Sequence, residues 1–344
     1  MPAQPPSNPT PPLPSPRTVS IALPSSILLN AQSSELRIYL AGQIARAAAI
    51  YKVHELVIFD EQVAQPSRRA KLPDNPSAFF KLVLDYLETP QYLRKHLFPV
   101  SPHLRLVGLL NPLALPTHVA RTDVVRWRDG VALNRTHQRV HASSSPPTRY
   151  VDVGLSRLVE LDTPVPPGTR VTVDMEPSGH DYDAVPGKYL FGKLASPHQR
   201  AAEQLYCGYQ VRTAKCLSQV FTNSLVCDNY DLVIGTSERG TPINNFQHTS
   251  ALSNFKNLLL VFGGVQGLEH SVIGDTQLEQ LNISPTASLP SQHQAEQNHN
   301  NVADLFDFYI NTCPDQGSRT IRTEEAVLIS LAALQPFINP TSNT

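Results

Sequence analysis

Asn311–Leu334 reads "NTCPDQGSRTIRTEEAVLISLAAL". It follows the apolar run "LFDFYI" and passes through a polar loop with one proline and one glycine before becoming helical. Val327, Leu328, Leu331 and Leu334 recur at helical spacing. Glu324 and Glu325 stand in the first turn, where carboxylates favour the helix dipole. An apolar strand, a loop of small and polar residues, then a helix is how a strand of a parallel α/β sheet ends at a ligand.

Two earlier stretches have the same form, "IGTSERG" (234–240) and "VFGGVQGLE" (261–269). Glycine in such loops lets a main-chain amide come close to a ligand. Taken singly, each also suits a tight strand-to-helix turn. The start of the chain supports the parallel sheet. "TVSIALP" reads as a strand, "SSELRIYLAGQIARAAAIYKV" as a helix capped by Ser33 or Ser34, and "ELVIFD" as a buried strand. "SAFFKLVLDYLETPQYLRKHLF" is helical with a break at Pro90, and "GYQVRTAKCLSQVFTNS" reads as strand then helix. From about 102 to 200 the texture changes to short β-prone pieces divided by Gly, Pro, Ser and Asp. That spacing predicts an inserted small barrel of OB-like type. Residues 1–17, rich in proline, read as a disordered tail, and 271–303, rich in Gln, Asn, Ser and His, as a flexible insertion.

Composition excludes several functions. No apolar run approaches the roughly 20 residues of a membrane helix. Cys207, Cys216, Cys227 and Cys313 are scattered without a CxxC pair, which reads as intracellular and reduced. The histidines show no metal-ligand spacing, so no metal is expected, and His54 and His118 read as packing or surface residues. A net charge of −1 is not that of a polycation, though it permits a local basic groove. There is no P-loop, HExxH or GxSxG, and "GGVQG" lacks the dinucleotide-binding spacing.

"GSRTIRTEEA" (317–326) resembles the C-terminal G-x-R-x-x-R-x-E-x-A signature of SPOUT-class RNA methyltransferases, particularly the enzymes acting on uridine N3 of ribosomal RNA. "VFGGVQGLE", "YDLVIGTSERG" and the N-terminal strand and helix are similar to the same class, over roughly residues 18–337. The chain looks like the eukaryotic and archaeal branch with an OB-like insertion, which includes a centromere-associated animal member. The resemblance implies a parallel sheet closed by a trefoil knot, formed by residues 18–101 and 201–338. It implies S-adenosylmethionine as cofactor, held by Thr236, Arg239, Gly263, Gly267, Asn311, Thr312, Gly317, Ser318, Arg319 and Thr320. It implies a homodimer, RNA as partner and a place in the nucleus. Arg239 and Arg319 are the candidates to act on the reacting base, with Arg322 nearby. No residue stands out as a general base, and Glu238 is the nearest candidate. Arg126, Trp127 and Arg128 in "RWRDG" are the candidate RNA contacts in the barrel, with Arg135, Arg139 and Arg149 near them. Two other readings stay open: a knotted scaffold without catalysis, and methylation of a ribose 2′-hydroxyl.

Overall fold

A computed structural model describes residues 17–338, except 62–72, 134–145, 176–181, 183–184, 197–198, 200–202, 204, 247–251, 253, 274, 276 and 279–301. The tail reading for 1–17 lies outside these apart from Arg17, as do Arg135, Arg139 and most of 271–303.

The larger unit is a six-stranded parallel sheet. Its strands are β1 (Thr18–Pro24), β2 (Glu55–Phe59), β8 (Gln210–Ala214), β9 (Leu232–Pro242), β10 (Asn257–Phe262) and β11 (Phe308–Asn311), in the order β11-β9-β10-β1-β2-β8. The central strands are buried on both faces, which is why they read as continuous apolar runs rather than alternating ones. Helix α1 (Ser34–Ile50) starts where expected, with the Ser33 hydroxyl accepting from the Leu36 amide. Helices α2 (Pro76–Glu88) and α3 (Gln91–Leu97) are divided at Pro90 as the sequence indicates. Helix α4 (Leu268–Ile273) is short, and α5 (Thr323–Ile338) closes the described chain against α1. At the very end, the Arg17 guanidinium donates to the carbonyls of Phe337 and Ile338.

Strands β3 (Trp127–Ala132), β4 (Thr148–Asp152), β5 (Val159–Val165), β6 (Arg170–Asp174) and β7 (Leu190–Leu194) form a closed barrel, β3-β4-β5-β7-β6, shut by β3 against β6. Only β5 and β7 run parallel, as in an OB fold. Val107, Leu113 and Leu115 still pack into the core of the sheet, so the barrel strands begin well after residue 102. A buried seam joins the two units. The Arg170 guanidinium lies between Glu88 (2.5 and 3.0 Å) and Asp129 (2.6 Å), and the Tyr92 hydroxyl donates to the Asp129 carbonyl at 2.8 Å.

Three expectations change. The stretch after β8 forms only a 3-10 turn, Ser218–Val220, instead of a helix. Strand β9 does not give way to a loop within "IGTSERG" but runs through to Pro242. Against β11, however, its ladder jumps: Tyr309 faces Gly235 and Ile310 faces Thr241, so residues 236–240 are left over as an excursion. Finally, the insertion does not begin at 271. Ser271 belongs to α4, and buried Asp275 accepts from the Ser218 amide at 2.6 Å.

Candidate active site

The three loops meet at the carboxyl edge of the sheet, and specific bonds tie them together. The Asn311 amide donates to the Glu238 carbonyl at 2.8 Å, linking the last strand to the β9 excursion. The Thr323 hydroxyl donates to the Gly263 carbonyl at 3.0 Å, linking α5 to the loop after β10. Arg239 pairs with Glu269 of α4 at 3.2 Å, not with Glu238, and both ends are solvent-accessible. The Thr236 hydroxyl bonds the Val261 carbonyl, and Thr312 shares a 2.8 Å bond with buried Ser330. The structure therefore brings Thr236, Arg239, Gly263, Gly267, Asn311 and Thr312 to one edge.

Gly317, Ser318, Arg319 and Thr320 form an exposed turn between Thr312 and Thr323, closed by the Ser318 hydroxyl on the Thr320 carbonyl at 2.9 Å. A side chain at Gly317 would meet nothing within 4 Å, and its backbone is not in the left-handed region. This glycine is therefore not required by the fold itself. Gly267 is: its φ of +84° closes the tight turn bridging Gly264 and Gly267.

Three residues at this edge were given no role at the site by the sequence reading. A Cβ at Gly240 would sit 2.5 Å from the Ile310 carbonyl carbon and 2.8 Å from the Asn311 nitrogen. Backbone cannot move aside there, so Gly240→Ala is expected to loosen β11 and cost about 1–3 kcal/mol of stability. A lower denaturant midpoint checks this; an unchanged one refutes the close approach. Glu61 is buried, and its carboxylate accepts from Ser26, in the turn after β1, and from Ser271 of α4 at 2.6 Å. It fastens the loops after β1, β2 and β10 to one another. Glu324, in the first turn of α5, is 7% exposed, and its Oε2 has no hydrogen-bond partner among the described residues. Burial pushes its carboxyl above the usual range. The only sequence signal for Glu324 was its place in the C-terminal signature. Glu238, by contrast, is exposed.

In the barrel, the structure corrects one candidate RNA contact. Arg128 is 1% exposed, and its guanidinium donates to the carbonyls of Ala120, Asp123 and Val153. It holds the barrel to its entering segment and has no face for RNA. Arg126 grips Asp174 with two nitrogens and lies over the Trp127 ring, while the Trp127 indole donates to Glu203 at 2.6 Å. His54 and His118 are packing residues. His54 accepts from the Val19 amide, and His118 bonds the Glu88 carbonyl. Among the described residues there is no cluster of metal-ligating side chains, and no helix is long and apolar enough to cross a membrane.

Residues 18–334 match the family described as "Putative RNA methyltransferase". The human protein named "28S rRNA (uridine-N(3))-methyltransferase" is 45% identical over 329 residues, covering 93% of this chain and 78% of the human one. The mouse protein of that name is 43% identical, with coverage of 93% and 77%. The Drosophila melanogaster protein of that name is 41% identical over 341 residues; the match covers 95% of this chain and 64% of the fly protein, just under two thirds of it. With a parallel sheet, an inserted barrel and a match over nearly its whole described length, the chain belongs to this SPOUT-class RNA methyltransferase family.

Proposed function

We propose that this protein transfers a methyl group from S-adenosylmethionine to N3 of a uridine in large-subunit ribosomal RNA. The observation that carries this reading is the 41–45% identity to proteins named for that activity. The sheet unit transfers the methyl group, and the barrel, whose strands run from Trp127 to Leu194, meets the RNA.

The site suits the cofactor. Three loops with small side chains offer main-chain groups at one sheet edge, and the space beside Gly317 is open. When bound, S-adenosylmethionine supplies a methyl group on a positively charged sulfur. Thr236, Gly263, Gly267, Asn311, Thr312 and the 317–320 turn are the residues we assign to hold it. Uridine N3 carries a proton that must leave before the nitrogen can attack. We assign that proton to Glu324, whose buried carboxylate keeps one oxygen, Oε2, without a partner among the described residues and titrates above the usual range, the form a general base takes. Arg239 and Arg319 would steady the negative charge that spreads onto the uracil oxygens.

A second copy would cover the exposed apolar side chains of α1 and α5, namely Leu36 (52%), Tyr39 (57%) and Leu328 (45%), on two helices already packed together. The last segment would be threaded as a trefoil knot, a reading supported by its bonds to two earlier loops. We place the protein in the nucleus, where ribosomal RNA is modified.

Mass analysis of nucleosides from 28S ribosomal RNA of a deletion strain tests the reaction. Loss of 3-methyluridine is expected. Loss of a 2′-O-methyl nucleoside instead would move the target atom, and no loss would favour the scaffold reading. Calorimetry tests the site. Gly317→Val should weaken S-adenosylmethionine binding at least about tenfold with an unchanged unfolding temperature, since its neighbours leave room for the side chain. Unchanged affinity would remove this turn from the cofactor site.

A further inference from the structure

Outside the barrel's core, three aromatic side chains share one face. The interior is filled by Val151, Val159, Leu161 and Leu190 among others. Side chains alternate along a strand, so the neighbours of these residues point outward. Tyr150 of β4 is in register with Glu160 of β5, and Glu160 with Phe191 of β7. One row across three strands therefore reads Tyr150, Glu160, Phe191. Tyr189, two residues before Phe191, stands on the same face and meets Tyr150 with ring centroids 4.8 Å apart. Phe191 is 74% exposed. None of these rings belongs to the barrel core, and together on one face they form a contiguous aromatic patch of the kind that marks an interaction site. Around them stand cations: Lys188 lies 5.4 Å from the Tyr189 ring, and Lys193 follows Phe191 on the outward side of β7.

We propose that this face of β4, β5 and β7 is a stacking platform for single-stranded RNA, an inference that rests on the RNA-methylating function proposed above. Every base has a π-face, so Tyr150, Tyr189 and Phe191 can hold unpaired bases without reading their sequence. Lys188 and Lys193 meet the phosphates that run beside such bases. Glu160, in the middle of the row, offers acceptors to a base N–H edge and turns phosphates away from the centre. The charges thus favour bases over the rings and backbone along the rim. This face differs from the one around Trp127, where Glu203 and Asp174 already engage the indole and the Arg126 guanidinium.

The test is the affinity of the full-length protein for a short, labelled single-stranded RNA at two salt concentrations. Phe191→Ala should weaken binding about tenfold, with the salt dependence unchanged, and Phe191→Trp should restore it. Lys188→Ala should flatten the salt dependence instead. Arg126→Ala, on the other face, serves as the comparison. Equal affinities for wild type, Phe191→Ala and Tyr150→Ala would overturn the proposal. So would sedimentation showing that Phe191→Ala dissolves a self-association while RNA affinity stays the same, since the face would then hold protein. S-adenosylmethionine affinity and methyl transfer, measured on the same samples, separate the two levels. RNA binding that depends on Phe191 in a protein with no methyl transfer would sink the proposed function and leave the platform standing.

Discussion

Glu324→Gln is expected to slow single-turnover methylation of the target RNA by about a hundredfold or more, within the range a general base supplies. The amide keeps the size of the side chain and cannot take the N3 proton. S-adenosylmethionine affinity should stay within a few-fold, because the cofactor loops are held by other bonds, Asn311 to Glu238 and Thr312 to Ser330. The pH profile gives a second readout. The carboxyl titrates above its usual range, so the wild-type rate should climb as pH rises through that raised pKa and then level off. The glutamine variant should lack this limb. If Glu324→Gln lowered unfolding stability and left the rate per folded molecule and its pH profile alone, the carboxylate would be structural.

The second large effect is on stability. Glu55 is fully buried at the amino end of β2, on the edge opposite the candidate site. Its carboxylate accepts from the Arg212 guanidinium at 2.9 Å, the Tyr230 hydroxyl at 2.6 Å, the Leu225 amide at 2.8 Å, and the hydroxyls of Ser20 and Ser224. Burial pushes its pKa up, but Tyr230, Leu225, Arg212 and Ser224 together outweigh burial and hold it below the ordinary value. Glu55→Ala leaves the Arg212 guanidinium buried with only carbonyl and hydroxyl partners. A loss of about 3–5 kcal/mol is expected. Denaturant unfolding should show a lower midpoint with the slope unchanged, and a loss below about 1 kcal/mol would show that the network contributes little. The sign of the pH dependence follows. With a depressed folded pKa, the contribution of Glu55 is present above the unfolded carboxylate pKa and fades as pH falls through the folded one.

Much of this architecture was legible in the chain. Strands β1 and β2, the Ser33 cap and the break at Pro90 follow from local pattern, because local forces and packing agree there. The misses share a cause: partners distant in sequence. The Ser218–Val220 segment does not continue as a helix: the buried Arg212 guanidinium, from β8, takes its Gln219 and Val220 carbonyls. Arg128 reads as a surface cation until the carbonyls of Ala120, Asp123 and Val153 surround it. At the site, the glycine loops were visible, but Gly240 was not singled out, because its constraint is the backbone of β11 some 70 residues later. Glu61 likewise depends on hydroxyls from two other loops.

Strand β1 sits in the middle of the sheet, between β2 and β10. Its pairing with β2 closes a short span of chain, since the residues facing each other are 35 apart in sequence, as Ser20 and Glu55 are. Its other edge waits for a partner 239 residues later, where Thr18 faces Asn257. During synthesis from the amino end, that apolar edge stays open while the whole barrel is being made. Such long-range pairing makes for slow folding and leaves an unpaired strand edge that other chains can join. Newly made protein should therefore depend on chaperones until β10 has emerged, and truncations ending before residue 257 should aggregate rather than fold.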